Sequence, residues 1–480
     1  MFINDVFTPS RFEGKGEITL RGEKISYRSV SEDNVFYDEN GKAIASIFSF
    51  SYFRDGVEDL SKRPVIFAFN GGPGTSSVMV HLGFVGPKRI KYKDDVDDMT
   101  GLPPYEVIDN PECLLDIADL VLVDPVGTGF GVLLDEAKGS QFYGVEEDAE
   151  ALLSFIQSWL QRYERWMSPK YVIGESYGCT RAACAAGIAA RGSADRYYDF
   201  AFDGIVFIGN SVSTGKFFNR EVPAEPAVLG FPTYAAINWY HNTDHSVELD
   251  EWVHEARAFA DSEYVLALYR GSSLKGKERE KVKKKIMYFT GVSDRYLEER
   301  NLVIEDASFR AEVIRDRGKA VSRLDGRMTR PLYNPFTDEI AYGLATDASR
   351  GKYNPYFISA LEGGVFPSLG IHDFPRLYKP TTTINKKWNK EAELTTAQHL
   401  YNAMWRTPGM RSFFANGYYD MATEIGIAYY MLNHANLPEE RVSIKGYPSG
   451  HMIYIGNDNI KSLTDDIRAF MNGDMPGDKA

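Results

Sequence analysis

From about residue 16 to residue 53, apolar and polar positions alternate as in half-buried strands. Glu17-Ile18-Thr19-Leu20 and Lys24-Ile25-Ser26-Tyr27 flank Arg21-Gly22-Glu23, a hairpin signal. A second turn at Asn40-Gly41 precedes Ala43 to Phe53, rich in Ile, Phe and Tyr. The pattern then changes. Pro64 to Phe69, Ala118 to Val123, Lys170 to Ile173 and Gly204 to Ile208 are short apolar runs bounded by Gly, Pro or Asn. Between the second and third, Ala149, Leu152, Leu153, Ile156, Leu160 and Tyr163 keep the spacing of one face of a helix over about 145–162. Buried strands alternating with amphipathic helices predict a mostly parallel sheet covered on both faces.

The alternation stops near Asn210. From there to about Thr329 the chain reads as helical, charged and aromatic, with Leu249, Trp252, Val253, Ala256 and Phe259 on one helix face. Strands return at Arg411 to Ala415 and Arg441 to Lys445. A helix over about Leu394 to Trp405 precedes the first, and a helix follows each. The expectation is an α/β core in two parts, residues 1–211 and 331–480, interrupted by a helical cap over 212–330 and preceded by an antiparallel extension.

The bulk numbers narrow the partners. A chain of 480 residues with 44% hydrophobic and 25% charged residues suits a large globular α/β protein. Its net charge of −13 disfavours nucleic acid and anionic membranes. The basic run from Lys275 to Lys285 is interleaved with Glu278 and Glu280 and reads as a solvated helix face. Cys113, Cys179 and Cys184 form no CxxC pair, and an odd number argues against a disulfide framework. The last two read as small packed residues. Neither a signal peptide nor an apolar run of membrane-spanning length is visible, so the expected location is cytoplasmic.

Gly174-Glu175-Ser176-Tyr177-Gly178 is the chain's single GxSxG match. Tyr171 to Ile173 supplies a strand before it, and the alanine-rich stretch Thr180 to Ala190 a helix after it. That context is a nucleophile elbow: the serine hydroxyl projects from a sharp turn at the top of a sheet. A serine nucleophile needs a histidine base, and the histidine an acid that fixes its tautomer. In an α/β-hydrolase they follow in the order serine, acid, histidine. His399 lies mid-helix and His434 near a helix end, whereas His451 sits in a loop after a late strand. One strand earlier, Asn416-Gly417-Tyr418-Tyr419-Asp420 carries a single acid, Asp420, with Glu424 as the alternative. Donors for an oxyanion are expected from the backbone of Tyr177 and from the early loop Asn70-Gly71-Gly72-Pro73-Gly74-Thr75-Ser76-Ser77. That loop lacks the GK[ST] of a phosphate-binding loop.

That loop, Gly-Glu-Ser-Tyr-Gly at 174–178, Asp124-Pro125-Val126-Gly127-Thr128-Gly129-Phe130 and the late Gly450-His451-Met452 together resemble the serine carboxypeptidase family. The likeness runs from about residue 60 to 460 and is loosest in the cap. It implies a metal-free, cofactor-free hydrolase that releases C-terminal residues from peptides. Ser176, Asp420 and His451 would form its triad, and Gly72 and Tyr177 its oxyanion hole. Asn70, Gly71 and Glu175 would hold the substrate's terminal carboxylate. Two carboxylates repel unless one is protonated, so this role implies a neutral Glu175. Met452 would line the leaving-residue pocket. The sequence departs from the family in two places. Phe84 stands where the family has a glutamate partner for Glu175, and Thr75 where it has a cysteine. The chain resembles the bacterial-type branch more than the secreted or vacuolar eukaryotic one. An esterase or acyltransferase on the same triad is the alternative activity. A homodimer is compatible with the sequence.

Overall fold

In the computed structural model, which describes residues 7–93, 96, 103–191, 198, 200–215, 226–332 and 347–479, eleven strands form one sheet. The order across it is Arg11–Leu20, Glu23–Tyr37, Ala43–Arg54, Asp119–Asp124, Val65–Phe69, Lys170–Glu175, Gly204–Ile208, Arg411–Gly417, Val442–Tyr447 and Asp478–Lys479. The short strand Val132–Leu133 pairs alongside Ala43–Arg54. From Asp119–Asp124 through Val442–Tyr447 every neighbouring pair is parallel. The strands before residue 55 and the last one pair antiparallel.

Side-chain alternation along the parallel strands builds two cores. Val65, Phe67, Phe69, Val172 and Phe414 point to one, and Ile66, Ala68, Ile173, Ile208 and Phe413 to the other. Because both faces are covered, these strands read as continuous apolar runs rather than as alternating ones. Helices Val145–Arg162, Tyr177–Arg191, Thr396–Arg406 and Ile425–His434 place their buried residues in the first core. Residues 78–85, helix Ala348–Ala360 and helix Asn457–Asn472 close the second. The arrangement is that of an α/β-hydrolase.

The antiparallel strands begin earlier and run further than the sequence pattern suggested, from Arg11 rather than about residue 16. Between the strands Gly204–Ile208 and Arg411–Gly417 the chain is largely helical. It includes Pro226–Asn242, Leu249–Phe259, Gly276–Thr290, Asp294–Glu299 and Asp306–Glu312. Residues 216–225, inside the expected cap, lie outside the described ones. The cap helices share the first core: Phe231, Trp252, Phe259 and Phe289 belong to the same apolar cluster as Phe67 and Trp159. Pro226–Asn242 lies so close to Ile425–His434 that a Cβ on Gly426 would sit 2.0 Å from the Leu229 carbonyl oxygen. The basic run lies on helix Gly276–Thr290, where Lys283 pairs with Glu280, Asp294 and Glu298.

Candidate active site

The carboxyl ends of the parallel strands converge on one cleft, as the fold's geometry requires. Ser176 stands between strand Lys170–Glu175 and helix Tyr177–Arg191 with φ of +58°. A non-glycine residue in that region is strained unless its surroundings hold it there. Its own amide donates to the Ile208 carbonyl at 2.9 Å, and its carbonyl accepts from Cys179 N at 2.8 Å and Ser211 Oγ at 2.6 Å. The glycines around it are steric necessities. A Cβ on Gly174 would come within 2.4 Å of the Gly178 carbonyl oxygen, and one on Gly71 within 2.3 Å of Tyr177 N. The second approach sets the early glycine loop directly against the start of the helix that follows Ser176.

That loop is braced from below. Asp124 Oδ1 accepts from Ser77 N at 2.8 Å, Ser77 Oγ at 2.7 Å and Tyr378 Oη at 3.2 Å. Burial pushes the Asp124 carboxyl up to about 6, against the pull of these donors. The buried Arg181 pairs with Asp148 at 2.6 Å and donates to the Asn70 carbonyl at 2.8 Å, tying the loop to the elbow helix.

His451 Nδ1 lies 2.8 Å from Asp420 Oδ2, both groups buried. With Nδ1 carrying the proton toward Asp420, Nε2 is left as the basic nitrogen. Asp420 is fixed by Ala422 N at 2.7 Å, Thr423 N at 3.2 Å and Thr423 Oγ1 at 2.5 Å. Burial opposes its charge, but His451 and these donors outweigh burial and hold its pKa below the usual value. The converse holds for His451: burial disfavours the imidazolium, yet Asp420, and behind it Glu175, raise its pKa. Glu424 instead occupies the N-cap position of helix Ile425–His434. His399 is buried beside Glu146 at 3.2 Å, and the exposed His434 bonds the carbonyl of Tyr430.

Asn70, Gly71, Gly72, Glu175, Ser176, Tyr177, His451 and Met452 line a single cleft of about 340 Å³, and Asp420 backs it through His451. Within it Glu175 is almost wholly buried, its Oε1 accepting from Asn70 Nδ2 at 2.8 Å and its Oε2 from Tyr454 Oη at 2.7 Å. Burial raises its pKa, partly offset by the nearby His451 and by the Tyr454 and Asn70 donors. The Phe84 ring stacks on Tyr454 at 5.0 Å between centroids. Phe84 thus packs against the phenol that donates to Glu175. Tyr454, Thr423 and the cleft residue Arg323 escaped the sequence reading. Tyr454 stands three residues past His451, but only packing reveals which way it faces. The cysteines are free and buried, with Cys179 Sγ 3.2 Å from the Gly174 carbonyl oxygen. Among the described residues no group of three or more His, Cys, Asp or Glu is placed to hold a metal ion.

An elbow serine, an Asp–His pair and an apposed glycine loop on this sheet are the parts that a serine hydrolase site on the α/β-hydrolase fold requires. Residues 41–231 match the family model described as serine carboxypeptidase. The chain is 30% identical over 146 residues to serine carboxypeptidase S10 family member 1 of Dictyostelium discoideum, covering 30% of this chain and 31% of that one. It is 32% identical over 119 residues to the pheromone-processing carboxypeptidase kex1 of Talaromyces marneffei, covering 24% and 17%. These matches therefore span about a third or less of the relatives' lengths. The crystal structure of a prohormone-processing carboxypeptidase from Saccharomyces cerevisiae shares the fold, with a TM-score of 0.56 at 14% identity, over 96% of this chain and 91% of that one. The cytoplasmic location expected from the sequence is corrected by the relatives, secretory or vacuolar proteases that point to a non-cytoplasmic location. Among the described residues no helix is long and apolar enough to cross a membrane.

Proposed function

We propose that the protein is a serine carboxypeptidase that releases C-terminal residues from peptides through an acyl-enzyme on Ser176. His451 Nε2 takes the proton of the Ser176 hydroxyl as its oxygen attacks the scissile carbonyl, then returns it to the leaving amine. Asp420 holds the tautomer and steadies the imidazolium. The amides of Gly72 and Tyr177 receive the oxyanion. Water repeats the sequence on the acyl-enzyme and frees the shortened peptide.

The observation that carries this reading beyond a general hydrolase is Glu175. A buried carboxyl with a raised pKa, held by Asn70 and Tyr454 in the nucleophile's own cleft, suits a neutral acid that hydrogen-bonds a substrate's terminal carboxylate. Blocked dipeptides with a free or an amidated C-terminus test it. Cleavage confined to the free acids is expected; equal turnover of both favours the esterase or acyltransferase reading, for which Phe84 speaks because an ester substrate needs no carboxylate clamp.

The three-part division, with the cap over 212–330 shaping specificity, belongs to the same proposal. So does placement in the bacterial-type, disulfide-poor branch, which Thr75 in the loop and the free thiols of Cys113, Cys179 and Cys184 support. The curated relatives reported above are eukaryotic.

A further inference from the structure

Arg323 is the one cation among the described residues that line the Ser176 cleft. Its position is built rather than incidental. The Arg323 amide donates to Asp347 Oδ2 at 2.8 Å, its carbonyl accepts from Met421 N at 3.0 Å, and the next carbonyl, of Leu324, accepts from His451 N at 2.6 Å. The segment is therefore stitched to both loops that carry the Asp–His pair. The side chain is 30% exposed, and its Nε stands 4.0 Å from Asp306 Oδ2, outside hydrogen-bond reach. Among the described residues its guanidinium donates to no acceptor. Leu324, Tyr353, Asn354 and Met452 line the same cleft. The clamp for a terminal carboxylate lies on a different segment, at Asn70, Gly71 and Glu175.

A guanidinium with donors to spare in a cleft is a place for an anion, which it must hold against the chain's net charge of −13. Given the carboxypeptidase reading, on which this rests, we propose that Arg323 selects peptides with an acidic side chain beside the scissile bond. That carboxylate belongs either to the acyl residue or to the leaving residue, and each source can be presented separately.

The experiment compares the full chain with Arg323→Gln and Arg323→Glu on N-blocked Glu-Phe, Gln-Phe, Phe-Glu, Phe-Gln, Lys-Phe and Phe-Lys, reading kcat/KM by mass spectrometry. In one pair the wild type should favour Glu over Gln by at least about tenfold, the worth of a hydrogen bond to a charged group. Which pair does so identifies the source. Arg323→Gln should bring that ratio to about one and leave the Gln peptides within about twofold; Arg323→Glu should turn the preference toward Lys. A wild-type ratio near one overturns the proposal, as does a ratio that survives Arg323→Gln. An equal loss on every free-acid peptide, together with lost discrimination against amides, also overturns it by assigning Arg323 to the terminal carboxylate. The same peptides are also scored for protecting Ser176 from a fluorophosphonate, a readout that needs no turnover. If no peptide is cleaved the carboxypeptidase reading fails, while the Glu to Gln protection ratio still decides the role of Arg323.

Discussion

Burial raises the Glu175 pKa, and His451, Tyr454 and Asn70 offset it, with Phe84 stacked on the Tyr454 ring. In the proposed clamp Glu175 would bind a carboxylate only while neutral, so as pH rises through its raised pKa the clamp should ionise and KM for free-acid peptides should climb. The Tyr454 hydroxyl favours the ionised form, so Tyr454→Phe should move that break to higher pH. The acid limb of kcat, set by protonation of His451, should stay in place; a KM profile identical in wild type and variant would count against this role. At Ser176 the expectation is starker. Ser176→Ala should lose roughly a million-fold in kcat. Unchanged circular dichroism with near-normal turnover would remove the serine from the chemistry. Ser176 with Glu175, and the loop at Asn70, stood out in the sequence because each lies in a short contiguous motif. Arg323 and Tyr454 did not, because each acquires its meaning from partners far along the chain: Leu324 meets His451 across 127 residues, and Tyr454 meets Glu175 across 279.

The elements show a similar division between what pattern reveals and what packing decides. The short apolar runs read correctly as buried parallel strands because two covered faces leave no polar alternation. The segment from 331 to 394 gave no such signal. Its helix Ala348–Ala360 contains Pro355 and lacks a clear apolar stripe, since its position is set by the neighbours it covers. Helix Val145–Arg162, by contrast, announces itself through its stripe, and the same helix buries Trp159 completely. The indole stacks on Phe53, meets Phe67 edge-on and donates to Ser51 Oγ at 3.1 Å. Trp159→Ala should cost about 3–5 kcal/mol, seen as a lower denaturant midpoint. Gly71→Ala should abolish turnover and also lower the thermal midpoint. Its Cβ would collide with Tyr177 N, at the meeting of loop and elbow rather than in the core.

Across the whole molecule, chemistry and stability occupy opposite edges of the sheet. The cleft opens at the carboxyl ends of the strands. At their amino ends Asp119 is buried between Arg63 Nε, at 2.8 Å, and Arg165 Nη1, and it also accepts from Arg54 N. Asp119→Asn leaves two guanidinium groups without their counter-charge and should destabilise the fold by about 3–5 kcal/mol. Below the lowered melting temperature kcat/KM should be unchanged; an equal fall in activity would mean that the two edges are coupled. The three thiols carry a practical corollary. All are buried, and burial raises the pKa of each, so each is a protonated, shielded sulfur in the folded chain. Iodoacetamide should therefore spare the native enzyme while a fluorophosphonate silences it. Alkylation then becomes a gauge of unfolding, and its rate at Cys179 reports how often the floor beneath the nucleophile comes apart.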